Sequence, residues 1–174
     1  VEANPETVAP ALIELLVSGG VNRLSIGAQS FQPRLLEALQ RHHNPDSVPR
    51  AMAIAQRNGI TNINLDLIFA IPGQTLQDLD ADLSASLALA PTHISCYNLT
   101  YEPNTALTTK LKLGHLTAVN EAVERDMYAF IMSRLERAGY EHYEISNWAK
   151  RQTPSVVEEP SPYRCQHNLH YWRS

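Results

Sequence analysis

Of its 174 residues this chain spends two on cysteine, and its 14 Lys and Arg are outnumbered by 18 Asp and Glu, for a net charge of −4. Two distant cysteines, Cys96 and Cys165, make no disulfide framework, and a reduced, cytoplasmic chain is the expectation. With no long basic run, a phosphate-backbone binder is set aside, so nucleic acid is not an expected partner. No stretch nears the roughly 18 consecutive apolar residues of a transmembrane helix. There is no glycine-rich phosphate loop, since Gly19-Gly20 ends a helical pattern and Pro72-Gly73-Gln74-Thr75 lacks the lysine and spacing. A Gly-x-Ser-x-Gly nucleophile elbow is missing as well. Nucleotide hydrolysis and acyl transfer therefore have no support.

What is present is an alternation of strands and helices. Hydrophobic residues make up 44% and charged residues 18%, a globular profile for one core. Asn4 before Pro5 starts a helical pattern carrying Val8, Leu12, Leu15 and Leu16, closed at Gly19-Gly20. Strand Arg23–Gln29 follows, then a helical stretch around Leu35, Leu36 and Leu39 and a helix Ser47–Arg57. Next come strand Asn62–Phe69 and helix Leu76–Leu89, started by a Thr75/Asp78 capping box. Strand His93–Thr100 precedes an irregular segment and a helix from Asn120 to Ala138. A last strand is expected at His142–Ile145 and a loop at Gln152–Pro162, and the aromatic tail has no clear period. This order argues for a parallel sheet with right-handed crossovers, either open and doubly wound or a partial (β/α) barrel.

Parallel strands covered on both faces are apolar throughout, and these are not. In Asn62–Phe69, Asn62, Asn64 and Asp66 lie opposite Ile63, Leu65, Leu67 and Phe69. In Arg23–Gln29, Arg23, Ser25, Gly27 and Gln29 lie opposite Leu24, Ile26 and Ala28. Glu2 with Asn4, and Asn98 with Thr100, extend the polar set in the first and fourth strands. A polar lumen is expected, with a ligand at the strand ends. Each residue alone could cap a helix or hydrogen-bond a neighbour. Glu2, Gln29 and Asp66 together favour a hydroxylated or amino-bearing ligand, because carboxylates accept hydrogen bonds in pairs.

Cys165, His167 and His170 have a metal-ligand spacing, though short His/Cys tracts arise by chance and a fourth ligand would have to come from afar. His42-His43 reads as a solvated turn. The charges of the Asn120–Ala138 helix read as a solvated face.

Read in order, several segments resemble the radical S-adenosylmethionine (SAM) proteins of the oxygen-independent coproporphyrinogen oxidase group, and within it the HemW-type haem chaperones. They are Val-Glu-Ala-Asn-Pro at 1–5, Asn-Arg-Leu-Ser-Ile-Gly-Ala-Gln-Ser-Phe at 22–31 and Asn-Leu-Asp-Leu-Ile-Phe-Ala-Ile-Pro-Gly-Gln-Thr at 64–75. His-Ile-Ser-Cys-Tyr-Asn-Leu-Thr-Tyr-Glu-Pro at 93–103, Tyr-Glu-Ile-Ser-Asn at 143–147 and Cys-Gln-His-Asn-Leu-His-Tyr-Trp at 165–172 complete the set.

The resemblance implies an α/β fold, a partial (β/α) barrel truncated at its N-terminus, with residues 1–115 as barrel core. Residues 116–174 would form a C-terminal helix, a strand and the tail. It places SAM contacts on Glu2, Gln29, Arg41, Asp66 and Thr100. Arg41 comes from the resemblance alone and would pair with a carboxylate. The His167-Asn168-Leu169-x-Tyr171-Trp172 stretch is the tail signature of the chaperone type. It makes haem and a haem-acceptor protein the expected partners, with Cys165, His167 and Tyr171 as candidate haem contacts by axial-ligand chemistry. The bland alternative is that Tyr171 and Trp172 fill a groove beneath the barrel.

Three cysteines at C-x-x-x-C-x-x-C spacing, which hold the family's four-iron four-sulfur cluster, are absent, so its ligands would lie outside this chain. Ala70 replaces a usual glycine. Both ends look cut, as in part of a longer protein. The rival readings are a coproporphyrinogen oxidase, decarboxylating propionates by a radical route, and a degenerate, non-catalytic barrel.

Overall fold

The computed structural model describes residues 1–41, 43–152 and 160–173, with side chains through Tyr171. Six strands form one sheet: β1 (Glu2–Ala3), β2 (Arg23–Gln29), β3 (Asn62–Phe69), β4 (His93–Asn98), β5 (Tyr140–Glu144) and β6 (Asn147–Lys150). Their spatial order is β1-β2-β3-β4-β6-β5. The first four run parallel, as expected. The far edge is an antiparallel hairpin, with β6 inserted between β4 and β5. Sequence reading placed one strand there, His142–Ile145, whereas β5 ends at Glu144 and β6 begins at Asn147. The sheet thus crosses the boundary expected at residue 115.

The helices are α1 (Pro10–Ser18), α2 (Pro33–Ala38), α3 (Ser47–Arg57), α4 (Leu76–Ala88), α5 (Ala106–Lys112), α6 (Glu121–Arg137) and α7 (Gln166–Arg173). Local chemistry sets their ends. Asn4 caps a 3-10 turn at Pro5–Thr7, and α1 starts at the next proline. Thr75 and Asp78 make the full capping box on α4, and the Arg34 guanidinium beside Asp78, helped by Thr75, holds its carboxyl down to about 2. Asn120 accepts from Ala122 and Val123 at the start of α6.

The apolar stripe read for α1 is corrected: Leu12 and Leu15 are exposed, and Ile13 is the residue buried. Val8 reaches the core from the segment before the helix. The tail, read without period, is the helix α7. Of the expected loop at Gln152–Pro162, residues 153–159 lie outside the described residues, as does His42.

Gly20, with φ +84, closes α1 by the paired bonds Gly20 N–H to Val17 O and Val21 N–H to Leu16 O. A Cβ there would touch nothing within 4 Å, so Gly20→Ala isolates the left-handed backbone penalty. It is expected to cost about 1 kcal/mol in urea unfolding.

The core forms where strand and helix periods agree. Leu24, Ile26 and Ala28 of β2, Ile63, Leu65 and Leu67 of β3, and Ile94 and Cys96 of β4 share one cluster with buried residues of α1, α3, α4 and α6. Burial pushes the Cys96 thiol far up, which keeps it inert. The opposite face of β2 and β3 is polar, as their parity predicts.

Candidate functional site

Strand pairing brings the polar face into one network. Ser25 sits beside Asn64, and Gly27 beside Asp66. Asn64 pairs with His93, and Asp66 with Ser95. Ser25 Oγ donates to Asp66 Oδ2 at 2.7 Å, and Asn64 Nδ2 donates to Ser25 Oγ at 2.6 Å and to Asp66 Oδ1 at 2.7 Å. With its amide nitrogen so committed, Asn64 uses Oδ1 to accept from Ser95 Oγ at 3.1 Å and from His93 Nδ1 at 2.6 Å. His93 is therefore the Nδ1–H tautomer, and its Nε2 accepts from the Tyr143 hydroxyl at 2.7 Å. That hydroxyl in turn accepts from the Cys165 backbone N–H at 3.1 Å.

The relay runs from the sheet to the tail, which is strapped across the lumen. Arg164 forms a two-pronged pair with Glu141 of β5 and lies 5.6 Å from the Tyr143 ring centre. Ser161 donates its N–H to Glu141 at 2.9 Å and its hydroxyl to the Lys150 carbonyl at 2.7 Å.

Two adjoining cavities open on this face. The smaller, of about 240 Å³, lies toward the carboxyl ends of β1, β2 and β3 and is lined by Glu2, Gln29, Arg41 and Asp66, with Ser25, Gly27 and His43 among the rest. Four of the five residues assigned to SAM by resemblance thus share one cavity. Thr100, the fifth, is exposed beyond the end of β4 and does not line it.

Asn98, expected in the lumen, is a correction. Register puts His93, Ser95 and Tyr97 on the lumen side, and Asn98 lies with Cys96 on the other, where its amide donates to Glu124 of α6.

Local backbone explains two of the lining residues. A bulge in the β2–β3 pairing falls between Gly27 and Gln29, and Gln29 takes φ 61. Its amide lies over Gly27, where a Cβ would come within 2.8 Å of Gln29 Nε2. Arg41 follows Gln40 (φ 57), which ends α2 with Arg41 N–H bonded to Leu36 O. This closing turn brings Arg41 back to the cavity. His43 is a residue that sequence reading missed, for it is half-buried, not solvated, and its Nε2 donates to the Ala28 carbonyl at 3.1 Å.

Burial raises the Asp66 carboxyl above its usual range, hydrogen bonds from Ser25, Asn64 and Ser95 pull it back, and the charge of Glu2 pushes it up again. A half-buried carboxylate beside a second one is stabilised by a cation or by hydroxyl donors. An Arg on the same cavity suits a carboxylate. That donor set fits an amino-acid ligand bearing a ribose and a positive centre.

The larger cavity, of about 490 Å³, lies toward the amino ends of the strands and shares Glu2, Ser25 and Asp66 with the first. Arg23, Asn62, Asn64 and the tail residues Cys165 and His167 line it. His167 also borders a third cavity, of about 310 Å³, with Tyr97 and Tyr171. Tyr171 is 71% exposed, so it does not fill a groove. Trp172, paired with it in the groove-filling alternative, lies beyond the described side chains. Among the described residues no three His, Cys, Asp or Glu side chains gather as a metal site, and no helix is long and apolar enough to cross a membrane. With two cysteines in all, Cys96 and Cys165, this chain does not supply the three thiolates of the cluster that the resemblance implies.

Residues 1–85 match the Radical SAM superfamily. The heme chaperone HemW of Bacillus subtilis strain 168 is 38% identical over 172 residues, 99% of this chain and 43% of the relative. The heme chaperone HemW of Escherichia coli K12 is 37% identical over 172 residues, 99% of this chain and 42% of that protein. This chain therefore spans about two fifths of the length of these relatives. Among solved structures, coproporphyrinogen III oxidase (HemN) from Escherichia coli, described as a radical SAM enzyme, superposes with a TM-score of 0.77 at 24% identity, covering 87% of this chain and 35% of that one. At that identity the likeness speaks for the fold. The fold, the match over residues 1–85 and the sequence similarity along 99% of this chain agree, and together they support a HemW-like radical SAM protein.

Proposed function

We propose that this chain forms the SAM- and haem-binding part of a HemW-like haem chaperone that passes haem to an acceptor protein. The observation that carries the reading is the meeting of Glu2, Gln29, Arg41 and Asp66 on one cavity at the carboxyl ends of β1 to β3. In it, Arg41 pairs with the SAM carboxylate, while Glu2 and Asp66 receive its hydroxyl or amino donors. Gln29 adds an amide that the Gly27 gap leaves room for. When bound, SAM supplies a sulfonium and, with a cluster held by residues outside this chain, the means to form a radical. Haem is placed at the tail, where Cys165 and His167 line the larger cavity and Tyr171 joins His167 on the next. Cytoplasmic operation follows from the same reading.

The test is SAM binding by calorimetry on the full-length protein. Asp66→Asn removes the charge while keeping the shape, and is expected to weaken SAM about 10-fold or more. Gly27→Ala leaves the melting temperature near wild type, because only the flexible end of Gln29 must move, yet lowers SAM affinity. Unchanged affinity in both variants refutes the assignment. Stoichiometric haem capture without porphyrin turnover distinguishes the chaperone from a decarboxylating oxidase.

A further inference from the structure

Arg23 opens β2 on the lumen face and lines the larger cavity. Its Nε is buried with no hydrogen-bond partner among the described residues. Its guanidinium enters none of the ion pairs they form. A desolvated donor with no acceptor destabilises the fold unless something else supplies one. The walls nearby carry amides able to donate as well: Asn22 just before β2, Asn62 in β3, and Gln166 and Asn168 of the tail. The carboxylates of the cavity, Glu2 and Asp66, belong to the wall shared with the smaller cavity. One end of the chamber is therefore acidic, and the other presents an unpaired guanidinium among amides. Its volume of about 490 Å³ falls in the range of small-molecule sites.

We infer that Arg23 is a carboxylate-binding residue, receiving through its planar fork the acid group of the ligand that also reaches His167. The inference rests on the haem reading above, under which that acid group is a haem propionate. A guanidinium meets a carboxylate with two parallel N–H donors, which a lysine cannot reproduce. The buried Nε of Arg23 is one of the donors such a fork uses. Arg23 would then orient the ligand edge, while the tail residues face its centre.

The experiment uses the full-length protein and two probes, ferric haem and its dimethyl ester, titrated by absorbance. The ester keeps the ring and the metal but caps both acids. Wild type is expected to bind the ester about 10-fold more weakly than haem or worse. Arg23→Gln should weaken haem by a similar factor, leave the ester unchanged, and so bring the ratio near one. Arg23→Lys should restore part of the preference. Equal affinity of wild type for haem and ester, or a ratio that survives Arg23→Gln, overturns the role of Arg23 while leaving haem binding intact. Failure of wild type to bind either probe overturns the haem reading, and this inference with it. Because the ester comparison is made on wild type, it stands even if a variant folds poorly.

Discussion

Lowering the pH from 6.5 to 4.5 should remove about 2 kcal/mol of stability through His93 alone. Burial holds this imidazole neutral, and the nearby Arg23 charge adds to the effect, bringing its pKa down to about 3 from 6.5. The side chain is fully enclosed. Its tautomer is fixed by Asn64, so the proton would have to enter at Nε2, where the Tyr143 hydroxyl already donates. The unfolded chain therefore binds the proton that the folded chain refuses. Where that holds, stability falls as pH falls, at about 1.4 kcal/mol per unit, beginning near 6.5 and ending near the folded value.

Against a total of roughly 5–15 kcal/mol for a domain this is a large loss. His93→Gln is expected to be less stable at pH 7.5 by about 1–3 kcal/mol, through the disturbed bonds to Asn64 and Tyr143, but to lack this slope. Wild-type and variant urea midpoints should thus converge between pH 6.5 and 4.5. The lowered carboxyls of Glu6, Asp78 and Glu141 act at lower pH. The raised Asp66 and Asp82 gain their protons more readily in the folded state, which works against the loss. All are common to both proteins, so parallel curves would refute the role of His93. Since Tyr143 also accepts the Cys165 N–H, the tail should loosen over the same pH range.

The sequence reveals features set by local chemistry or by strand parity. The capping box of α4, the Asn4 cap and the polar sides of β2 and β3 are all visible in it, because each depends on residues a few positions apart. Glu2, Gln29 and Asp66 stand out for that reason. Arg41 does not, since its approach depends on the left-handed Gln40 turn, and Gln carries no glycine signal. The Asn98 reading failed because the face of β4 is fixed by pairing Asp66 with Ser95, and a shift of one residue exchanges the two faces. The tail defeated periodicity as well. Its docking depends on Glu141 and Tyr143, both on β5 and some twenty residues upstream. Arg23 was visible by parity, but its lack of a partner becomes apparent once the neighbouring strands are in place.

Asp82→Ala is expected to cost about 3 kcal/mol or more, and to weaken SAM binding without touching the cavity. Asp82 lies on α4, 1% exposed, and it ties the turn after β2 to that helix. Its Oδ2 accepts from Ser30 Oγ at 2.7 Å and its Oδ1 from the Phe31 N–H at 2.8 Å. Ser30 Oγ also accepts the Gln32 N–H at 3.0 Å, so one carboxylate organises three consecutive residues. Burial raises its pKa, and the bonds from Phe31 and Ser30 oppose that rise. Truncation removes the acceptor for two buried donors, at about 1–3 kcal/mol each, and leaves a small void besides.

The turn so held begins at Gln29, whose left-handed backbone is not one that a glutamine adopts unaided. Freed from Asp82, Gln29 should relax and its amide should leave the cavity wall. Ser30→Ala should be milder, and the pair of substitutions should be less than additive, because both break the same bond. Asp82→Asn retains one acceptor and should fall between wild type and alanine. Urea unfolding measures the stability and calorimetry the SAM affinity. A cost under about 1 kcal/mol for Asp82→Ala, or full SAM affinity in a folded variant, would show that the turn holds Gln29 without help from α4.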